Sequence, residues 1–229
     1  KAGTFAFTLS ASNGVLPDAQ APITITVNPR QTETTVTSSS PTSEFGDVVT
    51  FTASIPAPTG VAVSGAVEFF DGTTPLGTAN VGADHKATFD ANDLSAGTHE
   101  IHASYRGDAN NLPSTSEPIT QQVDPVASET TVTATANPTV SGQPATFRVR
   151  VDAKGRDRLS ADGQVLLVVN DQPTGEPITL EHGEVVSRPI TDLPVGDHRV
   201  AARYLGSPNF EPSEGNLDPD HRVNKAPTT

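Results

Sequence analysis

Apolar and polar side chains alternate with period two along most of the chain. Val49, Phe51, Ala53 and Ile55 are spaced by Thr50, Thr52 and Ser54, and Val67 and Phe69 flank Glu68. Ile101, Ala103 and Tyr105 repeat the pattern. Side chains on an extended strand point to opposite faces in turn, so this spacing predicts strands with one face in a core. Between residues 33 and 125 it predicts strands near 34–38, 47–55, 65–70, 75–81, 85–90, 98–105 and 115–123. Gly, Pro, Asp and Asn cluster at most of the breaks, as turns require.

The pattern then recurs. Glu33-Thr34-Thr35-Val36 returns 96 residues later as Glu129-Thr130-Thr131-Val132, and Ala145, Phe147, Val149 and Val151 keep that offset from Val49, Phe51, Ala53 and Ile55. Val165 and Leu167 answer Val67 and Phe69 at an offset of 98, which places an insertion in the intervening loop around "AKGRDRLSAD". Val200, Ala202 and Tyr204 answer Ile101, Ala103 and Tyr105 at 99. Two copies of one unit of roughly 95 residues, each with about seven antiparallel strands, predict an all-β chain of tandem immunoglobulin-like β-sandwiches. Another β-sandwich topology stays open, because the Cys, Trp, Cys signature of antibody domains is absent. The divisions read as 1–29, a terminal hairpin; 30–125, repeat 1; 126–224, repeat 2; and 225–229, the start of a further linker or repeat.

Composition narrows the partners. With 27 acidic against 14 basic residues, the formal charge of −13 repels nucleic acid and anionic lipid, and no apolar run reaches the ~20 residues of a membrane helix. The absence of Cys removes disulfides, thiolate metal sites and Cys nucleophiles together. A chain that lacks Met and enters a strand pattern directly after Lys1 reads as a piece of a longer polypeptide.

Repeat 1 carries Gly46, Val49, Phe51 and Ala53, then Gly65, Val67, Phe69, Asp71 and Gly72, then Leu94, Gly97, His99, Ile101, Ala103, Tyr105, Gly107 and Asp108. On these residues both copies resemble the bacterial Ig-like repeats found in tandem arrays of large secreted and surface proteins. Repeat 2 departs at Asn170 and Asp171, near the Asp-Gly turn, and at Ser207, which replaces the Asp after Gly206. The resemblance implies an extracellular bacterial spacer or adhesive module with no common catalytic residues. Its partners would be neighbouring Ig-like domains, a host protein or a glycan. Residues 1–29 alternate through Phe5, Phe7, Leu9 and Ala11, turn at Asn13-Gly14 and return through Ile23, Ile25 and Val27. They are similar to the last hairpin of another bacterial Ig-like class.

The candidate sites are few. Arg106, Gly107 and Asp108 spell the tripeptide that adhesive proteins offer to integrins; the competing reading is a turn whose Asp bonds local amides. His99 and His198 occupy one position in the two copies, on the inward strand face that leads to Tyr105 and Tyr204. A polar ring there resembles the tyrosine corner of immunoglobulin sandwiches, a structural role. His102 points outward, and His85, His182 and His221 read as exposed singletons. Phe70 and Phe210 are expected outside the core. "DANDLSAG" and "LDPDHR" invite a calcium reading that no ligand motif supports, with Asp90 and Asp93 as turn residues and Leu94 as a plug at the sandwich edge. No G-x-S-x-G or H-E-x-x-H run supports catalysis, and neither Lys86 nor Lys154 is placed for a Lys–Asn crosslink. A spacer without catalytic, cofactor or metal residues is the leading reading, and a binding module the alternative.

Overall fold

The structure is a computed structural model that describes residues 1–156 and 159–227. Residues 157 and 158, within the expected insertion, and 228 and 229, within the expected final linker, lie outside the described residues. All regular structure among the described residues is strand. A hairpin, β1 (Gly3–Ala11) and β2 (Ala19–Val27), comes first. Repeat 1 follows with β3 (Thr35–Ser38), β4 (Thr42–Glu44), β5 (Val49–Ser54), β6 (Ala66–Asp71), β7 (Thr74–Asn80), β8 (Lys86–Ala91), β9 (Gly97–Tyr105), β10 (Ser114–Thr115) and β11 (Ile119–Asp124). Repeat 2 begins with β12 (Ser128–Ala134), β13 (Thr139–Val140), β14 (Phe147–Ala153), β15 (Gln164–Val169), β16 (Gln172–Pro173) and β17 (Ile178–Thr179). It ends with β18 (Glu184–Val186), β19 (Gly196–His198), β20 (Val200–Tyr204), β21 (Ser213–Asn216) and β22 (His221–Asn224). Packing divides the chain into two units, residues 1–42, 48–92 and 98–122, and residues 43–47, 93–97 and 123–229.

In repeat 1 the sheet β3-β5-β8 faces the sheet β4-β11-β9-β6-β7, with β10 paired to β9. The alternation that predicted the strands fills the space between them: Val49, Phe51, Ala53 and Ile55 from one sheet and Val67, Phe69, Ile101, Ala103 and Tyr105 from the other are buried. Repeat 2 builds the same core from Phe147, Val149, Val151, Val165, Leu167, Val200, Ala202 and Tyr204. Its sheets are β12-β14-β18 and β16-β15-β20-β21, and β13-β22-β19 forms a third ladder. The immunoglobulin-like β-sandwich expected from the period is the architecture observed.

Several local expectations are corrected. Each first strand is interrupted: β4 and β13 leave the sheet of β3 and β12 and pair with the last strand instead. The pairing of β13 with β22 is parallel. The strand expected at 115–123 is broken into β10 and β11 by residues 116–118. The hairpin loop spans residues 12–18 and is centred on Val15, so Asn13-Gly14 is not a two-residue turn. Asp90 lies on β8 and accepts a hydrogen bond from Thr50 Oγ1, so it does not start a turn. Phe210 is buried in the repeat 2 core, whereas Phe5 and Phe7 are exposed on the hairpin. His221 is fully buried because β22 turns it inward under Phe147, whose ring meets it edge-on at 5.2 Å.

The residues shared between the copies have visible causes. Thr34 and Thr130, the buried first threonines of the two "TTV" stretches, each hydrogen-bond the serine that follows the proline common to both repeats, Ser114 after Pro113 and Ser213 after Pro212, at 2.7 Å. A buried hydroxyl needs such a partner, since leaving it unpaired costs about 1–3 kcal/mol. His85 and His182 take left-handed turn conformations, at φ 61° and 52°.

Candidate functional site at the turn after the tyrosine strand

β9 delivers Tyr105 into the core, and the chain then swings through Arg106, Gly107 and Asp108. Gly107 sits at φ 79°, and a Cβ there would fall 2.8 Å from the Asn111 carbonyl oxygen, so the turn requires glycine. The Tyr105 hydroxyl donates to the Ser64 carbonyl at 2.7 Å. Tyr204 does the same to the Asp162 carbonyl at 2.6 Å. The back-bond of a tyrosine corner is thus made by the tyrosines themselves. Burial raises both phenol pKa values, that of Tyr105 to about 12 with help from the Asp108 charge.

The Asp108 carboxylate is saturated. One oxygen accepts from the Asn110 and Asn111 amides at 2.7 and 2.9 Å, the other from Ser64 N and Oγ at 2.9 Å each, and the Asn111 side-chain amide donates to both at 2.9 Å. Burial alone would raise its pKa, but these donors outweigh burial and hold the carboxyl far below the ordinary carboxylate range. Arg106 Nη2 lies 2.6 Å from Glu68 Oε2, an exposed ion pair across β9 and β6.

Repeat 2 changes these residues in pairs. At offsets of 98 and 99, Ser64 and Asp108 become Asp162 and Ser207, and Ser207 Oγ donates to Asp162 Oδ1 at 2.6 Å. Carboxylate and hydroxyl have exchanged sides while the bridge across the turn is kept. Glu68 and Arg106 both become leucine, Leu166 and Leu205. The sequence showed the loss of the Asp and the Arg; their partners became visible only when the strands were brought side by side.

The same turn holds the segment that leads into its own repeat. Arg30 N donates to the Asn110 carbonyl at 2.7 Å and Leu112 N to the Arg30 carbonyl at 2.8 Å. In repeat 2, Val126 N donates to the Asn209 carbonyl at 3.0 Å and Glu211 N to the Val126 carbonyl at 2.9 Å. Both are parallel bridges, Arg30 with Asn111 and Val126 with Phe210. The turn is a clasp on the residue that directly follows Pro29 or Pro125. In the first unit Ala2 N also donates to Asn110 Oδ1 at 2.7 Å. Nothing in single-residue spacing announces this clasp.

The two paired histidines differ. His99 Nδ1 lies 2.7 Å from the Asp71 carboxylate. His198 Nδ1 faces the Asn170 side-chain amide nitrogen at 3.0 Å and Nε2 faces the Pro194 carbonyl at 2.7 Å. Asn170 Oδ1 accepts from Arg199 N at 3.2 Å, which turns its NH2 group toward Nδ1. His102, on the outer face, stacks on Phe70 at 4.9 Å. His221 stands opposite His198 in the β19–β22 ladder, with Nε2 2.9 Å from Thr139 Oγ1. Burial, assisted by His198, depresses its pKa. Among the described residues no three His, Asp or Glu side chains converge as metal ligands would.

The profile of the bacterial Ig-like domain, group 3, matches residues 34–124 and again 132–218. The chain belongs to that family. No curated protein matches it. Solved structures that it resembles include the fibronectin(III)-like modules of Clostridium thermocellum CbhA, at 16% identity over 83% of this chain and 94% of that one, with a TM-score of 0.32. The Yersinia pseudotuberculosis adhesin InvE is 17% identical over 84% of this chain and 63% of its own, with a TM-score of 0.41. The D0-D1 domain of intimin is 15% identical over 82% and 96%, with a TM-score of 0.33.

Proposed function

We propose that this chain is a non-catalytic, extracellular spacer in a bacterial surface or secreted protein, an array whose linkers are held stiff. The observation that carries this reading is the clasp: in both repeats the residue after the linker proline is bonded on both sides to the turn after the tyrosine strand. A linker that is short, contains Pro and is stitched to the following domain keeps little of the freedom that a flexible tether needs. Membership of a family of bacterial Ig-like domains supports the surface location and the neighbouring-domain partners.

On this reading Arg106-Gly107-Asp108 is part of the clasp. An integrin-type ligand must offer a free carboxylate, and that of Asp108 is already met by donors from three residues. Pairs of spin labels placed in the two repeats test the spacer function. The expected outcome is a narrow distance distribution that broadens in Ser207→Ala, which loosens the turn that clasps Val126 after the linker between the repeats; a broad distribution in the unaltered chain would refute it.

A further inference from the structure

The β1–β2 hairpin repeats the end of a sandwich. Ala2-Gly3-Thr4 returns 94 residues later as Ala96-Gly97-Thr98, and Pro22-Ile23-Thr24 returns 96 residues later as Pro118-Ile119-Thr120. Val27 and Pro29 are matched at that second offset by Val123 and Pro125. Backbone geometry agrees. Gly3, Gly97 and Gly196 take φ of 146°, 143° and 145°, and Gly3 pairs with Val27 as Gly196 pairs with Val223. On the outer face Thr4 bonds Thr26 at 3.5 Å where Thr98 bonds Gln122 at 2.9 Å. β1 and β2 thus stand where β9 and β11 stand in repeat 1.

Their inner face is bare. Phe7, Leu9, Ile25 and Val27 are 54%, 61%, 50% and 43% exposed, whereas Ile101, Ala103, Gln121 and Val123, at the same places in repeat 1, are all fully buried. Phe5 and Ile23 belong to the same apolar face, Phe5 in register with Ile25 and Ile23 with Phe7. The free edge of β1 is open as well. β9 pairs with β6 on the side away from β11, but among the described residues β1 pairs with β2 alone. Gly3–Ala11 carries neither Pro nor charge, the usual guards of an exposed edge. A lone two-stranded sheet is at most marginally stable in water.

We propose that this face and edge are covered by the earlier strands of a third immunoglobulin-like sandwich, supplied by the same polypeptide ahead of Gly3. Strand order selects that source. In repeat 1 the facing strands β3, β5 and β8 and the edge neighbour β6 all precede β9, and the residues that follow Val27 already build repeat 1. Size argues against a second copy of the hairpin. Two strands of nine residues, about 4.8 Å apart, offer a face of about 300 Å². A stable interface takes about 800 Å² from each partner. An attached sheet does not need that area, because the linkage holds it at high effective concentration. The inference lengthens the array by one sandwich and does not depend on the clasp, so its failure would leave the spacer reading of the two repeats untouched.

The test compares amide hydrogen exchange in the 229-residue chain with exchange in the same chain lengthened upstream, along its natural polypeptide, by as many residues as repeat 1 has before β9. In the 229-residue chain the slowest amides of β1 and β2 should exchange at least ~100-fold faster than those of β9, at any protein concentration. In the lengthened chain they should slow to within about tenfold of β9. Protection equal to that of β9 in the shorter chain, or exchange left fast in the longer one, would overturn the proposal. Protection that rises with protein concentration would overturn the same-chain source in favour of a second copy. Phe7→Asp in the lengthened chain should return β1 and β2 to fast exchange while β9 stays protected, and Thr8→Asp, on the outer face, should leave both protected. A Phe7→Asp chain whose hairpin is as protected as the unaltered one would refute the buried face.

Discussion

The exchange of Ser64 and Asp108 for Asp162 and Ser207 can be reproduced within repeat 1. Asp108→Ser removes a carboxylate that accepts from Ser64, Asn110 and Asn111. Hydrogen bonds to a charged group contribute about 1.5–3 kcal/mol each, but donors at a half-exposed site regain water when the acceptor leaves, and only Asn111 is sealed, at 1% exposure. The expected cost is therefore about 2–3 kcal/mol in all. Ser64→Asp instead sets two carboxylates against each other across the turn, at about 2 kcal/mol for charges roughly 4 Å apart at an effective dielectric between those of surface and water. In the double variant one carboxylate again faces one hydroxyl, as Asp162 faces Ser207. It should recover about 2 kcal/mol relative to the sum of the single losses. Urea unfolding at pH 7, followed through amide signals of repeat 1 so that each repeat is read separately, measures the cycle. A double variant as unstable as the two single losses added would refute the reciprocal pairing. Acid offers a check on the sign. The depressed pKa of folded Asp108 means its contribution is fully present above the unfolded value near 3.8 and is lost progressively as the pH falls from there toward the folded value, so the stability gap between wild type and Asp108→Ser should narrow steadily below pH 3.8.

His221 makes repeat 2 acid-sensitive at a higher pH. Its folded pKa is depressed, so above about 6.5 it is neutral in both states, and below that the unfolded chain binds a proton that the folded one refuses. Stability of repeat 2 should decline toward acid by up to ~1.4 kcal/mol per pH unit, and His221→Gln, which installs the buried residue that repeat 1 has at Gln121, should flatten this slope between pH 6.5 and 5 in thermal melts. Gly215→Ala would place a Cβ 2.1 Å from the Thr130 carbonyl oxygen and should cost repeat 2 about 2 kcal/mol or more, read by denaturant midpoint. Arg106→Ala breaks only an exposed ion pair with Glu68 and should change stability by less than about 1 kcal/mol while leaving cell attachment unaltered.

Periodicity located the strands because burial on one face imposes period two, and Phe51, Val67, Ile101 and Tyr105 are all fully buried. The interrupted first strand was not legible in this way. Thr42 and Glu44 of β4 are exposed and Ser43 is half-buried, so the stretch carries no apolar signal. His221 was missed for a related reason. β22 resumes only after Pro219, and with four residues it is too short for Val223 alone to reveal which side His221 takes. At the candidate site the glycine, the tyrosine and the local Asp turn were readable, because each acts on its own neighbours. The bonds from Ser64 to Asp108 and from Arg30 to the turn join residues far apart in the sequence, and only the packed sheets reveal them.

The parallel pairing of β13 with β22 bears on how the chain carries load. These two strands lie near opposite ends of repeat 2 and run the same way, with Thr139 beside Val223 and Val140 beside Asn224. Tension applied at the two ends of the repeat slides them past each other, so their hydrogen bonds are strained together and must break together. The β1–β2 hairpin is antiparallel, and tension across its ends opens its ladder one pair at a time, beginning where Gly3 meets Val27. Within one polypeptide, then, the hairpin yields as a zipper while repeat 2 resists as a lap joint.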